Sequence, residues 1–131
     1  MSMDKAASDH FKVDSLGKPY AGDHLLIELW GCDRLSDEAL IDHALRSAAL
    51  ASGATILHAF YHPFGADQGI SGVLVLAESH ISIHTWPEHS YAAIDIFMCG
   101  DCDPNQALPS LETILNPAII ETQRVKRGVK T

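Results

Sequence analysis

Three closely spaced segments of strand character constrain the fold of this chain more than any other feature. They are SGVLVLAE (71–78), HISIHTW (80–86) and YAAIDIFMC (91–99). Their β-branched and apolar residues are typical of sheet, and the last segment alternates apolar with polar side chains. One residue separates the first two and four separate the last two. Such short connections favour antiparallel neighbours, because parallel strands need a long crossover.

Three further segments complete the predicted sheet. They are HLLIELW (24–30), TILHAFYH (55–62) and AIIETQRVKR (118–127). The first is mostly apolar, and the last alternates apolar and polar residues from Ile119 onward.

Two helices are predicted between these strands. The first begins at Ser36, an N-cap residue type, followed by two acidic residues that suit the helix dipole. Gly53 provides its stop. The second begins at Asp103-Pro104, although Pro109 favours a later start. The predicted fold class is α+β, a two-layer sandwich with helices on one face of a mostly antiparallel sheet. Apolar residues recur at helical spacing in the first helix at Leu40, Ile41, Ala44, Leu45 and Ala48.

The length of 131 residues suits one domain, which we assign to residues 21–131. Residues 1–20 have little periodicity and are predicted to be a flexible N-terminal arm. Nine Lys/Arg against seventeen Asp/Glu give a net charge of −8, which disfavours a nucleic-acid partner. No apolar run approaches the ~20 residues that span a membrane, and the polar start predicts no secretion signal. Three cysteines without such a signal favour a reducing cytoplasm.

The stretch ESHISIH, residues 78–84, places a carboxylate, a hydroxyl and two histidines within the predicted sheet. The simplest interpretation is an exposed strand face, because His80, Ser82 and His84 would share one side. A metal site is the second interpretation. Two histidines four apart in a strand are roughly 13 Å apart, which is too far to bind one ion. His58 and His62 have the same spacing, and we predict no metal.

The cysteines of CGDC, Cys99 and Cys102, form a single C-x-x-C. This spacing occurs in redox dithiols and in half of many zinc sites. No second pair accompanies it, and it precedes Asp103-Pro104 rather than lying at a helix start. A small metal-binding or redox module therefore stays only an alternative.

Taken together, GISGVLVLAESHISIHTWPE (69–88) and the following YAAIDIFMCG (91–100) closely resemble the bacterial S-adenosylmethionine decarboxylase proenzymes. The resemblance covers roughly residues 22–105 and includes HLLIELWGCD and the SGATI before the second strand. Its most specific part is a glutamate-serine junction followed by H-x-x-x-H-T-W-P-E and a later cysteine-glycine.

The resemblance implies that the chain cuts its own backbone between Glu78 and Ser79, giving residues 1–78 and 79–131. Ser79 would become a pyruvoyl group, which forms a Schiff base with the substrate amine and acts as an electron sink. His84 matches the family's processing base and Ser71 a serine that assists it. Cys99 matches the family's acid, which protonates the carbanion that remains after CO₂ leaves the substrate. A regular strand puts Ser79 and His84 on opposite faces, so the hypothesis requires a break or bulge after Ser79.

Three residues match substrate-binding positions of the family. Phe64 and Trp86 would stack on the adenine or attract the sulfonium cation. Glu88 would accept hydrogen bonds from the ribose hydroxyls. The loop between Phe64 and Ser71 is slightly longer than the family pattern, and Cys102 is an additional thiol. We expect that oxidation joins Cys99 to Cys102 and silences the enzyme.

The activity implied is decarboxylation of S-adenosylmethionine to the aminopropyl donor for spermidine biosynthesis, by a homodimer with active sites near its interface. Two further alternatives stay open beside the metal-binding or redox module. A pyruvoyl-dependent decarboxylase of the same fold could act on ornithine or arginine. A non-cleaving paralogue could bind a nucleoside or a partner subunit.

Overall fold

A computed structural model describes residues 11–130, which form a six-stranded antiparallel sheet, a small hairpin and two α-helices. The strand order in the large sheet is β4-β5-β6-β7-β3-β8. The hairpin strands are β1 (Lys12–Val13) and β2 (Pro19–Tyr20); the sheet strands are β3 (Gly22–Trp30), β4 (Ile56–Pro63), β5 (Ile70–Leu76), β6 (Ser79–Trp86), β7 (Tyr91–Met98) and β8 (Ile119–Arg127); the helices are α1 (Glu38–Ala51) and α2 (Leu108–Leu115).

One face of the sheet forms the core with the two helices. Alternate residues of the central strands point to this face and are buried, as the period of two predicts. They meet the apolar sides of α1 and α2, which pack on each other as well. The predicted α+β fold class and the antiparallel pairing are therefore confirmed. The principal core residues are Leu25, Ile27, Leu29, Ile41, Leu45, Leu74, Ile81, Ile83, Ile94, Ile96 and Leu111.

Both helices begin slightly later than their first polar signals indicate. Asp37 rather than Ser36 caps α1, since its carboxylate accepts from Leu40 N–H, and Ser36 donates instead to Gln68. Asp103 caps a 3₁₀ turn, Pro104–Ala107, and α2 follows with Pro109 in its first turn. The later start that Pro109 predicted is confirmed, because a proline fits the first helical turn and not the interior.

The opposite face of the sheet, called the outer face below, carries the other alternate residues. In the described chain no helix covers it, and its side chains are half-buried or exposed. It combines histidines and acidic groups with large apolar side chains, among them Phe60 (58% exposed) and Val75 (40% exposed). An uncovered sheet face with exposed large apolar side chains is typical of an interaction surface.

The short hairpin β1–β2 precedes the sheet. Asp14 closes its turn by accepting from the backbone N–H groups of Leu16 and Lys18. Lys130 N–H donates to the Pro19 carbonyl and joins the hairpin to the end of the chain. Of the predicted arm 1–20, residues 1–10 lie outside the described residues, and the flexibility of the arm stays a prediction. No helix within residues 11–130 is long and apolar enough to cross a membrane.

Candidate active site

The Glu78-Ser79 junction lies at a tight hairpin turn between β5 and β6. Ala77 and Glu78 form the turn, and Ser79 pairs with Leu76 as the first residue of β6. Two hydrogen bonds tie the turn to Thr55: Ala77 N–H donates to the Thr55 carbonyl (2.9 Å), and Thr55 N–H donates to Glu78 Oε1 (3.0 Å). Thr55, the residue before β4, therefore holds the turn through two hydrogen bonds at one end of the sheet.

The break or bulge expected after Ser79 is absent, and that prediction was wrong. Pairing of β6 with β5 and with β7 is regular throughout. The two-residue turn before Ser79 aligns β5 and β6 without any irregularity, so Ser79 and His84 stay on opposite faces of the strand. A register shift does occur in the sheet, but it lies in β4 between Ile56 and His58.

Cys99 makes two contacts to the carbonyl oxygen of Glu78. Its backbone N–H donates at 3.3 Å, and its Sγ–H donates at 3.0 Å. Two donors on one carbonyl oxygen polarise the carbonyl carbon toward a nucleophile and stabilise a developing negative charge. The residue that follows this carbonyl is Ser79, whose hydroxyl is the nearest nucleophile in sequence.

The Cys99 thiol is protonated in this environment. Burial raises its pKa, the nearby Glu78 carboxylate raises it further, and Lys12 lowers it in part. The thiol of Cys102 is buried, and burial and the Glu78 carboxylate raise its pKa, while Lys12 again lowers it in part. Both are free thiols, so a C-x-x-C disulfide is not formed here. A raised pKa suits a proton donor better than a metal-binding thiolate.

Ser71 and His84 form a second pair on the outer face. They are cross-strand neighbours of β5 and β6, and Ser71 Oγ shares a 2.9 Å hydrogen bond with His84 Nδ1. Ser79 lies five residues before His84 on the same strand, roughly 17 Å away, and points to the helix face with Leu76. The structure therefore does not bring Ser79 together with Ser71 and His84 within one chain.

An aromatic row crosses the outer face beside His84. Trp86 stacks on Tyr91 with ring centroids 5.3 Å apart, and Tyr91 stacks on Trp30 at 4.3 Å. The Tyr91 hydroxyl donates to Glu28, and this bond with burial raises the pKa of Tyr91 to about 12. Trp86 remains 40% exposed, so part of its ring is accessible to a ligand.

The other two predicted substrate residues lie outside this row. Phe64 follows β4, is 60% exposed, and contacts the ring of His62 edge-on at 4.7 Å. Glu88 lies in the 3₁₀ turn Pro87–His89 directly after Trp86 and is exposed. Sequence proximity keeps Glu88 near the row, whereas Phe64 lies across β5.

A cavity of about 250 Å³ adjoins the row on the outer face. The residues that line it include Glu28, His84, Tyr91 and Asp95. Two carboxylates in one shallow cavity favour a cationic ligand. Glu28, Tyr91 and Asp95 were not singled out from the sequence, where each stands as one polar residue in an alternating strand.

Asp95 gathers three donors at the centre of the outer face. His24 Nε2 lies 2.6 Å and His80 Nε2 3.0 Å from its Oδ2, and Ser82 donates to its Oδ1. Burial opposes ionisation of Asp95, but the bonds from His80, Ser82 and His24 outweigh it and hold its pKa well below the usual range. The bond to Asp95 raises the pKa of His80.

This cluster is the one set in the described chain with metal-ligand spacing, as the donor atoms of His24, His80 and Asp95 lie within 4.8 Å. The surroundings of His24 oppose that role. Arg127 donates to His24 Nδ1 at 3.0 Å, so Nε2 carries the proton of the neutral ring. A metal-bound histidine normally donates from its second nitrogen rather than accepting there. The cluster is therefore better described as a hydrogen-bonded network.

Comparison with known proteins identifies relatives along most of the chain. Residues 23–128 match the profile of one family, described as S-adenosylmethionine decarboxylase. The chain is similar to the S-adenosylmethionine decarboxylase proenzyme of Methanococcus aeolicus, with 46% identity over 112 residues that cover 83% of this chain and 95% of the relative. The proenzyme of Bacillus velezensis is 44% identical over 110 residues, covering 82% and 86%.

A solved structure has the same architecture. The crystal structure of the adenosylmethionine decarboxylase from Aquifex aeolicus superposes with a TM-score of 0.76 and 36% sequence identity. The match covers 86% of this chain and 94% of that structure.

Proposed function

This chain belongs to the S-adenosylmethionine decarboxylase family, and we propose that it is a proenzyme that cuts itself before Ser79 and then decarboxylates S-adenosylmethionine. The observation that carries the proposal is the pair of Cys99 donors on the Glu78 carbonyl, 3.3 and 3.0 Å away. They lie at the one peptide bond that the family resemblance selects.

Self-cleavage follows from an acyl shift at this carbonyl. Attack of the Ser79 hydroxyl forms a carbon–oxygen bond and breaks the peptide carbon–nitrogen bond, which leaves an ester and a free amine. A base then removes the α-proton of Ser79, and the Cβ–Oγ bond breaks with its electrons on the departing Glu78 carboxylate. The remaining dehydroalanine takes up water and releases ammonia, which leaves a ketone. Cys99 stabilises the oxyanion of the first step.

The second product begins with a pyruvoyl group in place of Ser79. The site suits this group, since Ser79 starts a strand, is half-buried and lies beside a protonated thiol. A pyruvoyl group supplies an electron sink for decarboxylation of an amine substrate. Cys99 would deliver its proton to the substrate carbon after CO₂ has left.

Ser71 and His84 are the proposed processing pair, and we propose that they act on the partner subunit of a homodimer. Within one protomer they lie five rungs from Ser79 on the opposite face. The outer face that carries them also exposes Phe60 and Val75. Packing two outer faces against each other would bury this apolar area and bring the pair toward the backbone of the Glu78-Ser79 turn in the other chain.

Substrate recognition is proposed for the outer-face cavity and the aromatic row. The exposed part of the Trp86 ring suits an adenine ring, and Glu88 suits the ribose hydroxyls. The carboxylates of Glu28 and Asp95 would attract the sulfonium charge. Phe64 remains a proposed contact, from its position before β5. The product would serve as the aminopropyl donor for spermidine biosynthesis.

Intact mass spectrometry of fresh protein tests the first half of the proposal. We expect residues 1–78 and a pyruvoyl-capped chain from position 79, while Ser79→Ala keeps one 14.2 kDa chain. Release of CO₂ from S-adenosylmethionine, with ornithine and arginine as controls, tests the second half. A wild-type chain that stays whole at neutral pH would contradict the proposal and favour the binding-module alternative.

A further inference from the structure

Lys12 of the N-terminal hairpin reaches the segment that carries Cys99. Its Nζ donates to the carbonyl oxygen of Cys102 and lies 3.7 Å from Asp23 Oδ2. Only 14% of the Lys12 side chain is exposed, which is low for a lysine. The hairpin is thus attached to the end of the sheet where the Glu78-Ser79 junction lies.

Asp23 provides a fixed anchor for this lysine. It is 1% exposed, accepts from the Tyr20 hydroxyl at 3.3 Å and lies 2.9 Å from an Arg124 nitrogen. A buried carboxylate with several donors has little freedom to move. The Lys12 ammonium group consequently bridges the fixed Asp23 carboxylate and the Cys102 carbonyl.

The segment from Cys99 to Cys102 needs such a restraint. It lies between β7 and a 3₁₀ turn, and Gly100 has a positive φ of 64°. Lys12, Gly100 and Asp101 together line a cavity of about 450 Å³, so the segment is open on one side. The positive charge of Lys12 also acts on the Cys99 thiol, opposing the effect of Glu78.

From these contacts we propose that Lys12 is a positioning residue that holds the Cys99–Cys102 segment in reach of the Glu78 carbonyl. The proposal rests on the self-cleavage proposed above. It assigns residues 11–20, which precede the family match at residue 23, to the machinery of the enzyme. Without Lys12, Cys99 would meet the carbonyl less often in the geometry that stabilises the oxyanion.

The test measures the rate of self-cleavage by mass spectrometry, in a time course that begins when the chain is synthesised. We expect Lys12→Met to slow cleavage about 10- to 100-fold, since small misplacements of a catalytic donor have effects of this size. Lys12→Arg keeps a cationic donor and should restore most of the rate. Lys18→Met, an exposed lysine of the same hairpin, is the matched control and should cleave like the wild type. Equal rates for Lys12→Met and the wild type would overturn the proposal.

A second measurement separates positioning from folding. In the uncut Ser79→Ala chain, the pH dependence of Cys99 alkylation, read by peptide mass, reports its thiolate. Removing the Lys12 charge should move this profile to higher pH, because Lys12 lowers the pKa of Cys99 against Glu78. If Lys12→Met does not fold, Lys12→Gln removes the charge and keeps a donor. An unmoved profile would contradict the proposal, whereas a wild type that never cleaves would contradict the proposed function alone.

Discussion

At the scale of single residues, Asp95 is the centre of a hydrogen-bond network on the outer face and raises the pKa of His80. It accepts from His24, His80 and Ser82, which come from two different strands. The pKa of Asp95 is lower in the folded chain than its ordinary value of 3.8. Ionised Asp95 therefore stabilises the fold at pH values above 3.8, and this stabilisation is lost as the pH falls through the folded pKa. His80 has the opposite pH dependence, because its pKa is raised in the folded chain. Protonated His80 stabilises the fold at pH values below 6.5, and this stabilisation is lost as the pH rises through the folded pKa.

The first prediction concerns His80. Asp95→Asn should lower the pKa of His80, because the hydrogen bond to the Asp95 carboxylate is the largest cause of its rise. NMR titration of the His80 ring measures this directly. Asp67→Asn, in the exposed loop after Phe64, is the control and should leave the titration unchanged. An unaltered His80 curve in Asp95→Asn would mean that the network does not form in solution.

At the scale of elements, helix α1 shows which side of the sheet carries the stability. Its inner side, including Leu45, is fully buried against the sheet, while Leu50 on the same helix is 65% exposed. Loss of a buried side chain removes its transfer free energy and leaves a cavity, whereas an exposed leucine has few contacts to lose.

The second prediction follows from this asymmetry. Leu45→Ala should lower the free energy of unfolding by about 2–5 kcal/mol. Leu50→Ala, the matched control, should change it by only about 0.5 kcal/mol. Urea unfolding of the uncut Ser79→Ala chain measures both, with all variants at the same protein concentration because a dimer's stability depends on it. Equal losses for the two variants would contradict the assignment of the helix face.

At the scale of the whole molecule, the separation of Ser79 from His84 decides whether one chain can cleave itself without a partner. One protomer holds the cleavage junction at the end of its sheet and the proposed processing pair on its outer face. If the pair acts across the dimer, each junction needs the other chain, and the active site is complete only in the assembly.

The third prediction is complementation between two inactive chains. Ser79→Ala lacks the nucleophile and His84→Ala lacks the base, so each expressed alone should stay uncut. When the two are co-expressed with different tags, the His84→Ala chain should be cut, because its partner supplies His84. Mass spectrometry identifies the cut chain by its tag. Heterodimers in which neither chain is cut would rule out action across the interface.

Several features of the site could be predicted from neighbouring residues, and others could not. The strand character around Glu78-Ser79 is confirmed, and so is the shared face of His80, Ser82 and His84. The expected bulge after Ser79 was wrong, because β6 pairs regularly with both neighbours and leaves Ser79 and His84 on opposite faces. Lys12 and Asp95 were missed, since each makes its contacts with residues far away in sequence.

The sequence by itself determined the fold class, the order of the six sheet strands and the two helices, and the family, because alternation, capping and motif spacing are properties of adjacent residues. It did not predict the hairpin of β1 and β2 within residues 11–20. Only the tertiary structure decided which side chains meet. The strand order β6-β7-β3 brings His24 to Asp95 across 71 positions. The tight hairpin sets the Glu78 carbonyl against Cys99 across 21 positions. Contacts of this kind depend on strand pairing and on the packing of the hairpin, which no local pattern encodes.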